Sequence, residues 1–305
     1  MTDVSPKILL SGASGLIGVN LVRSLAAKRI QTFQLVRKET SIPDPRSILW
    51  NPKANPPVAS LPALEGFDAA IHLSGANISG HRWTESYKRE IVSSRVDTTR
   101  SLVRIFQGLK QPPKTFLCAS ATGIYGDRGD ELLTEASAPG QGFLANTCTR
   151  WEAAANAARE AGIRVVPLRF GVAFSREGGA LAKMSRIFRL GAGGKLGSGR
   201  QWMGWIAMPD VINAIEFLIE KQSVDGAINM VAPDPVTNRD FTEALGRVLH
   251  RPTFLQVPAF ALKLAVGQLA DDALLASNRT VPQRLLDAGF EFRYPEIETA
   301  LRAML

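Results

Sequence analysis

The sequence has few of the residues that build disulfide frameworks and metal centres. Its 305 residues include only two cysteines, Cys118 and Cys148, and both stand in apolar surroundings. A disulfide scaffold is therefore excluded, and buried free thiols are expected. The three histidines are scattered without the spacing of metal ligands, so no metal site is predicted.

Long apolar runs are absent as well. No run is long enough to span a bilayer, and the first residues lack the basic start and apolar core of a secretory signal. We therefore expect a soluble, cytoplasmic protein without membrane insertion. The net charge is +8, but no nucleic-acid motif or interleaving of aromatic and basic residues accompanies it. Nucleic-acid binding is thus the weakest interpretation, and attraction of small anionic ligands is favoured.

The most informative stretch lies close to the N-terminus. An apolar run, Ile8 to Leu10, is typical of a buried strand, and an alanine-rich segment from Leu16 to Lys28 predicts a helix. Between them come glycines at three-residue spacing: Gly12 for a sharp turn, Gly15 for close approach of a diphosphate, and Gly18 for helix packing. The alternative is a glycine-rich turn without a ligand. Because a strand precedes the glycines and a helix follows, the sequence predicts a dinucleotide site.

The end of the next predicted strand, Gln31 to Val36, bears on cofactor choice. An NAD-preferring fold places an acidic residue here to bind the ribose hydroxyls. This chain has Arg37 and Lys38 instead, and Glu39 follows only later. A pair of cations suits the 2′-phosphate of NADP, although the two could also be solvated surface charges. The sequence therefore favours NADP.

Strands and helices alternate up to Gly171. The strands are expected at 67–76, 115–120 and 164–170, and the helices at 82–109 and 145–161. This alternation is typical of a Rossmann-type, doubly wound parallel sheet. Pro167 lies inside the last of these strands, which predicts an edge strand or a bend there.

The alternation breaks after Gly171. We expect residues 1–173 to form an NADP-binding domain to which 208–232 return, and residues 174–207 and 233–305 to form a smaller, mostly helical substrate lobe and C-terminal module. The loop-rich stretch from Gly178 to Pro209 contains no Asp or Glu. It carries five cations: Lys183, Arg186, Arg189, Lys195 and Arg200. The pattern predicts either a site for an anionic small molecule, such as a nucleotide-linked one, or a solvated basic surface. Trp202 and Trp205 could offer flat surfaces to a ring.

Motifs along nearly the whole chain resemble those of extended short-chain dehydrogenases/reductases. The resemblance begins with the glycines, with the strand at 68–74, and with Ser120 followed by Ile124-Tyr125-Gly126. Further motifs are similar to the atypical, nucleoside-diphosphate-sugar epimerase-like branch, at 82–84, 94–95, 151–154, 169–172, 197–202 and 205–206. Segments at 257–258, 281–285 and 289–290 match the C-terminal module of unknown function of that branch. Ala207 departs from the pattern, which usually has a histidine there.

The resemblance implies an NADP site assembled from separate parts of the chain. The diphosphate would be bound by Gly12, Ser14, Gly15, Leu16, Ile17 and Gly18; the adenosine phosphate by Val36 and Arg37; and the adenine-ribose side by Leu73, Ser74 and Gly75. Glu90 and Arg95 match positions on a helix that can close over the cofactor. Each of these two could equally be an ordinary charged helix residue.

Enzymes of this superfamily use a tyrosine four residues before a lysine, which lowers the pKa of the phenol. The chain has three tyrosines, Tyr87, Tyr125 and Tyr294, and none precedes a lysine at that spacing. Ser120 could still donate a hydrogen bond to a substrate oxygen, although a gap-free match puts Ala121 in that place. Two interpretations stay open: an atypical NADP-dependent reductase or epimerase, and a non-catalytic NADP-binding sensor or scaffold. Substrate and oligomeric state are not indicated.

Overall fold

Seven parallel strands form the central sheet of the computed structural model, which describes residues 6–37, 44–54, 57 and 61–305. In chain order these strands are β1 (Lys7–Ser11), β2 (Gln31–Val36), β3 (Ser47–Leu49), β4 (Ala69–His72), β5 (Thr115–Ala121), β6 (Arg164–Phe170) and β7 (Ile228–Met230). Their order across the sheet is β7-β6-β5-β4-β1-β2-β3. Because β4 pairs with β1 on the side opposite β2, the strand order reverses there. Ligands of doubly wound sheets bind at the carboxyl ends of the strands at such a point.

Within the described residues, ten α-helices surround this sheet or follow it. They are α1 (Leu16–Ala27), α2 (Glu85–Val92), α3 (Thr98–Gln107), α4 (Phe143–Asn156), α5 (Gly179–Arg189), α6 (Met208–Glu220), α7 (Asn238–Leu249), α8 (Ala259–Val266), α9 (Gln283–Asp287) and α10 (Ile297–Met304). A π-helical segment, Ser93–Asp97, joins α2 to α3. In the described part of the chain, no helix has the length and apolar character needed to cross a membrane.

Both faces of the sheet are buried, which explains why its strands are continuous apolar runs. Helices α1 and α6 cover one face and share a core with Ile8, Leu10 and Leu117. Helices α3 and α4 cover the other face, where Leu9 and Phe116 lie. A third core, which includes Phe174, forms beneath α5, α7 and α10.

Short strand pairs connect the later part of the chain. Residues Val172–Phe174 pair in parallel with Trp205–Ala207, and Gly194–Leu196 pair in parallel with Leu255–Val257. Two further pairs join 132–133 to 279–280 and 202–203 to 236–237.

The predicted fold class is confirmed. Of the two alternatives predicted for Pro167, the edge strand is wrong and the bend stays a prediction. β6, which contains Pro167, is an internal strand rather than an edge strand, because β7 lies outside it. β7 pairs only with residues 168–170, so the missing N–H of Pro167 costs no ladder hydrogen bond on that side. The stretch from Gly178 to Pro209 begins with the three turns of α5 and continues as loops and short strands.

Candidate nucleotide site and adjoining cavity

The glycine turn joins β1 to α1 at the carboxyl edge of the sheet. Gly12 has a φ of +76°, and a Cβ added there would lie 2.7 Å from the carbonyl carbon of Leu73. The Gly15 N–H donates to the Gly12 carbonyl oxygen at 3.0 Å, which closes the turn. A Cβ on Gly18 would lie 2.2 Å from that same oxygen. Two of the three positions therefore have no room for any other side chain.

The first turn of α1 is suited to an anion. Gly15 is its N-cap, no acidic residue occupies the first turn, and Ser14 and Gly15 are exposed. The N–H groups at the start of a helix have no intrahelical acceptor, and the helix dipole favours negative charge there. Leu16 and Ile17 are half-buried behind this turn.

The predicted adenosine side lies beside the glycine turn. Leu73 and Ser74 follow β4 and are half-buried, and Gly75 is exposed. Val36 ends β2, and Arg37 beyond it is exposed. Lys38, the second cation of the predicted pair, lies outside the described residues.

Arg95 holds the loop that follows Gly75. Its Nη2 donates to the Ala76 carbonyl oxygen at 2.9 Å, and its Nη1 donates to the Ile91 carbonyl oxygen at 3.1 Å. The guanidinium also lies over the Trp151 ring, and burial lowers its pKa. Arg95 is therefore fixed against the loop after Gly75 by contacts with backbone carbonyl groups, and its role at the cofactor stays a prediction. Glu90, by contrast, is exposed on α2.

Ser120 belongs to a buried polar network. It is 3% exposed, and its hydroxyl donates to Glu152 Oε1 at 2.7 Å. Arg169 donates from Nε and Nη2 to the same carboxylate, at 2.8 and 2.9 Å. The Ser120 hydroxyl thus serves a structural ion pair in this conformation, and its role as a donor to substrate stays a prediction.

The same network includes Tyr125. Its hydroxyl donates to Asn229 Oδ1 at 2.7 Å and accepts from Arg169 Nη1 at 2.8 Å. Burial raises the pKa of the phenol. Tyr87 is also buried, with its hydroxyl bound to the Asn77 carbonyl oxygen, and Tyr294 packs in the core near α10. None of the tyrosines is placed to exchange a proton at the carboxyl edge of β5.

The sequence alone did not assign Glu152 and Arg169 to this network. They lie 17 positions apart, on α4 and β6, and no periodic pattern links them. Both fall inside motifs that carried the family resemblance, 151–154 and 169–172. Those motifs were the signal that could have pointed to the pair.

A cavity of about 240 Å³ opens beside α4, after the end of β5. Leu144 and Gly123 form part of its wall, and Asp127, Asp271 and Asp272 supply its charged groups. The helix on which the superfamily carries its tyrosine and lysine thus presents Leu144 here. Cys148, one turn further along, is buried, which raises the pKa of its thiol to about 12. The cavity wall therefore offers carboxylates, and no phenol or amine.

Asp272 is central to this arrangement. Its Oδ2 accepts hydrogen bonds from the N–H groups of Phe143 and Leu144, at 3.0 and 3.3 Å. A carboxylate from the C-terminal segment therefore caps α4, whose N-cap residue, Gly142, has no side chain to do so.

The five predicted cations separate into two groups. Lys183, Arg186 and Arg189 are exposed on α5 and do not line the cavity. Lys195 lies in the short strand 194–196 and Arg200 follows it, and Gly197 between them packs against Leu275, a cavity-lining residue. The three cations of α5 thus lie on a different surface from the cavity lining, and a site for an anionic molecule stays a prediction.

The two tryptophans of this region are not free surfaces. Trp205 is fully buried against Phe174, with ring centroids 5.6 Å apart. Trp202 is half-buried beneath the Arg279 guanidinium and donates from Nε1 to Asp130 at 2.8 Å.

Comparison with known proteins matches residues 8–231 to the NAD dependent epimerase/dehydratase family. The chain belongs to this family. Residues 257–304, which include α8 to α10 and Asp272, match a domain of unknown function, DUF1731.

Relatives of similar length accompany these matches. An epimerase family protein of Mycobacterium leprae is 37% identical over 96% of this chain and 94% of its own length. The crystal structure of human epimerase family protein SDR39U1 with NADPH has a TM-score of 0.88 and 33% identity, and the match covers 98% of both chains. The crystal structure of the nucleoside-diphosphate sugar epimerase from Corynebacterium glutamicum has a TM-score of 0.81 and 36% identity. The match covers 99% of the present chain and 58% of the Corynebacterium chain.

Proposed function

We propose that the chain is an NADP(H)-dependent reductase of atypical acid–base chemistry that acts on a small anionic molecule. The observation that carries the proposal is the sterically closed glycine turn at the start of α1, with Arg37 beyond β2 and a cavity further along the same edge of the sheet. The human relative, a third identical along its whole length, was crystallised with NADPH, which supports the choice of cofactor.

The residues present fit the cofactor. The first turn of α1, with Gly12, Ser14, Gly15, Leu16, Ile17 and Gly18, would hold the diphosphate, and Arg37 the 2′-phosphate. Leu73, Ser74 and Gly75 would contact the adenosine, with Arg95 holding the adjoining loop. A charge-assisted hydrogen bond to phosphate contributes about 1.5–3 kcal/mol, which gives NADPH a roughly ten- to hundredfold advantage over NADH.

When bound, the cofactor supplies or accepts a hydride. Epimerisation through oxidation of an alcohol also requires a base for the hydroxyl proton. Among the described residues, the cavity wall offers only carboxylates for this role, and a carboxylate is a much weaker base than the phenolate of a tyrosine. Reduction makes a smaller demand, because water in an open cavity can supply the proton. The geometry therefore supports a reductase better than an epimerase.

The anionic part of the substrate would bind between the cavity and the loop 195–200. Three carboxylates line the cavity, so a neutral portion of the substrate fits there better than a phosphate does. Lys195 and Arg200 are the nearby cations suited to a phosphate or a nucleotide. A nucleotide-linked molecule would satisfy both parts of the site.

Cofactor titration tests the first half of this proposal. We expect wild type to bind NADPH roughly ten- to hundredfold more tightly than NADH, and Arg37→Ala to lose most of that preference. Arg29→Ala, which removes an exposed cation at the far end of α1, is the matched control. Equal affinity of wild type for the two cofactors would contradict the assignment.

A non-catalytic NADP-binding sensor is the second candidate. It is favoured by Leu144 at the start of α4 and by the hydroxyls of Ser120 and Tyr125, which are already hydrogen-bonded to protein groups. To distinguish the reductase from the sensor, we would screen nucleotides and sugar nucleotides by thermal shift with saturating NADPH, and then assay the stabilising compounds for NADPH oxidation. A substrate at 100 times its Kd should stabilise by about 2.7 kcal/mol, and Arg200→Ala should reduce the effect. Oxidation of NADPH with a stabilising compound would support the reductase. Stabilisation without oxidation would favour the sensor.

A further inference from the structure

The positive charge of the chain is concentrated in two segments. Residues 178–209 and 244–270 contain eight of the 36 Lys and Arg residues and none of the 28 Asp and Glu residues. The 28 cations elsewhere equal the acidic residues in number, so these two segments account for the whole net charge of +8.

The fold brings the two segments together. Gly194–Leu196 of the first pairs in parallel with Leu255–Val257 of the second. Arg251 Nε donates to the Arg189 carbonyl oxygen at 3.1 Å, so the end of α5 lies beside the start of the second segment. We call the surface formed by α5, the loop after it, residues 251–257 and α8 the basic apolar face.

This face also carries most of the large apolar side chains that the described structure leaves in solvent. Helix α8 has no buried residue, and its Phe260 and Leu264, one turn apart, are 73% and 76% exposed. Phe254 is 81% exposed and Leu190 is 85% exposed. Such protruding side chains on a helix without a covering partner mark an interaction surface.

The cations on this face are mostly uncompensated. Lys263 pairs with Asp271 at 2.8 Å, and Arg247, at the edge of the face, pairs with Glu298 at 3.0 Å. Among the residues the structure describes, no carboxylate lies within salt-bridge distance of Lys183, Arg186 or Arg189 (the α5 cations).

We propose that the basic apolar face binds the surface of an anionic phospholipid membrane. Phe254, Phe260, Leu264 and Leu190 enter the interfacial region of the lipid, and the α5 cations contact its acidic headgroups. This inference goes beyond the proposed function and does not depend on it. Charge complementarity selects this occupant, because a second copy of the chain bound through the same face would oppose two surfaces that each carry an excess of positive charge. Separate protruding side chains suit a deformable lipid surface better than a flat protein interface.

Co-sedimentation of the full chain with vesicles tests the proposal. We expect binding to vesicles of equal parts phosphatidylcholine and phosphatidylglycerol, little binding to phosphatidylcholine alone, and weakening by salt. Phe260→Ser/Leu264→Ser and Arg186→Gln/Arg189→Gln should each lower the partition coefficient by roughly tenfold or more. All four side chains are exposed, so the fold should tolerate these changes.

Matched variants control for charge and hydrophobicity. Leu61→Ser/Leu132→Ser removes two exposed leucines, and Arg104→Gln/Lys110→Gln removes two exposed cations, all outside the basic apolar face. Both controls should bind vesicles as wild type does. Failure of wild type to sediment with anionic vesicles would overturn the proposal. Binding that depends on charge but not on Phe260 and Leu264 would also overturn it, because it would show a purely electrostatic attraction to lipid without insertion of the apolar side chains.

Discussion

Loss of the buried Arg169–Glu152 pair should destabilise the chain strongly. Both side chains are about a tenth exposed and are joined by two hydrogen bonds of 2.8 and 2.9 Å. In Arg169→Leu, the Glu152 carboxylate would remain in an apolar setting with only the Ser120 hydroxyl as a partner. Removing one member of such a pair leaves the other charge buried without a partner, which lowers the free energy of unfolding by about 3–5 kcal/mol. This loss corresponds to a fall in Tm of roughly 10 °C for a chain of this size.

The assay is denaturant unfolding of wild type, Arg169→Leu and the double variant Arg169→Leu/Glu152→Leu. Because removal of both charges avoids the stranded carboxylate, the double variant should recover much of the lost stability. Lys114→Leu is the surface control: its ion pair with Asp68, at 2.7 Å, is largely exposed, and its loss should cost less than about 1 kcal/mol. A double variant as unstable as the single one would refute the reasoning.

Three further predictions concern cofactor binding and stability. Gly18→Ala should lower NADPH affinity roughly tenfold or more, because its Cβ would meet the Gly12 carbonyl oxygen at 2.2 Å. Gly108→Ala is the control, because a Cβ there would lie 3.5 Å from the Ile105 carbonyl oxygen. Unchanged affinity in Gly18→Ala would contradict the steric argument. Tyr125→Phe should lower the free energy of unfolding by about 1–3 kcal/mol and leave cofactor affinity unchanged in a titration, because the hydroxyl serves the buried network. Burial lowers the pKa of His72 to about 4. Between pH 6.5 and 4, the unfolded chain therefore binds a proton at this histidine that the folded chain does not bind. The free energy of unfolding should fall by up to about 3 kcal/mol as the pH drops through this range. Unfolding curves for His72→Gln should lack this component, and an identical pH dependence in both proteins would exclude His72 as its source.

Much of the fold could be predicted because its signals are local. The spacing of Gly12, Gly15 and Gly18 fixes a turn between neighbouring elements, and the capping box at Thr237 and Asp240 is a local sequence signal for the start of α7. Periodicity alone does not distinguish a strand buried on both faces from a buried helix, but the short length of the apolar runs and the turn residues that flank them do.

The chemistry of the site depended on contacts that no local pattern encodes. Ser120 lies in a strand buried on both faces, where alternation does not indicate which way a hydroxyl points. Asp272 caps a helix that begins 129 positions earlier. The division of the five predicted cations between α5 and the loop 195–200 also followed from tertiary packing, since a charge count does not distinguish a surface from a cavity.

The cap that Asp272 provides has a consequence for how the chain unfolds. Phe143 and Leu144 begin α4, which packs on the central sheet, yet their N–H groups find their acceptor only in the C-terminal segment. Glu135 adds a second tie, since its carboxylate accepts from the Arg284 N–H at 3.3 Å and from the Asn229 N–H in β7 at 2.9 Å. If either the sheet region or the C-terminal segment unfolds, backbone N–H groups or carboxylates of the remaining region lose their hydrogen-bond partners. The two regions that match separate families should therefore lose structure in a single cooperative transition, and the nucleotide-binding sheet should not survive as an excised fragment.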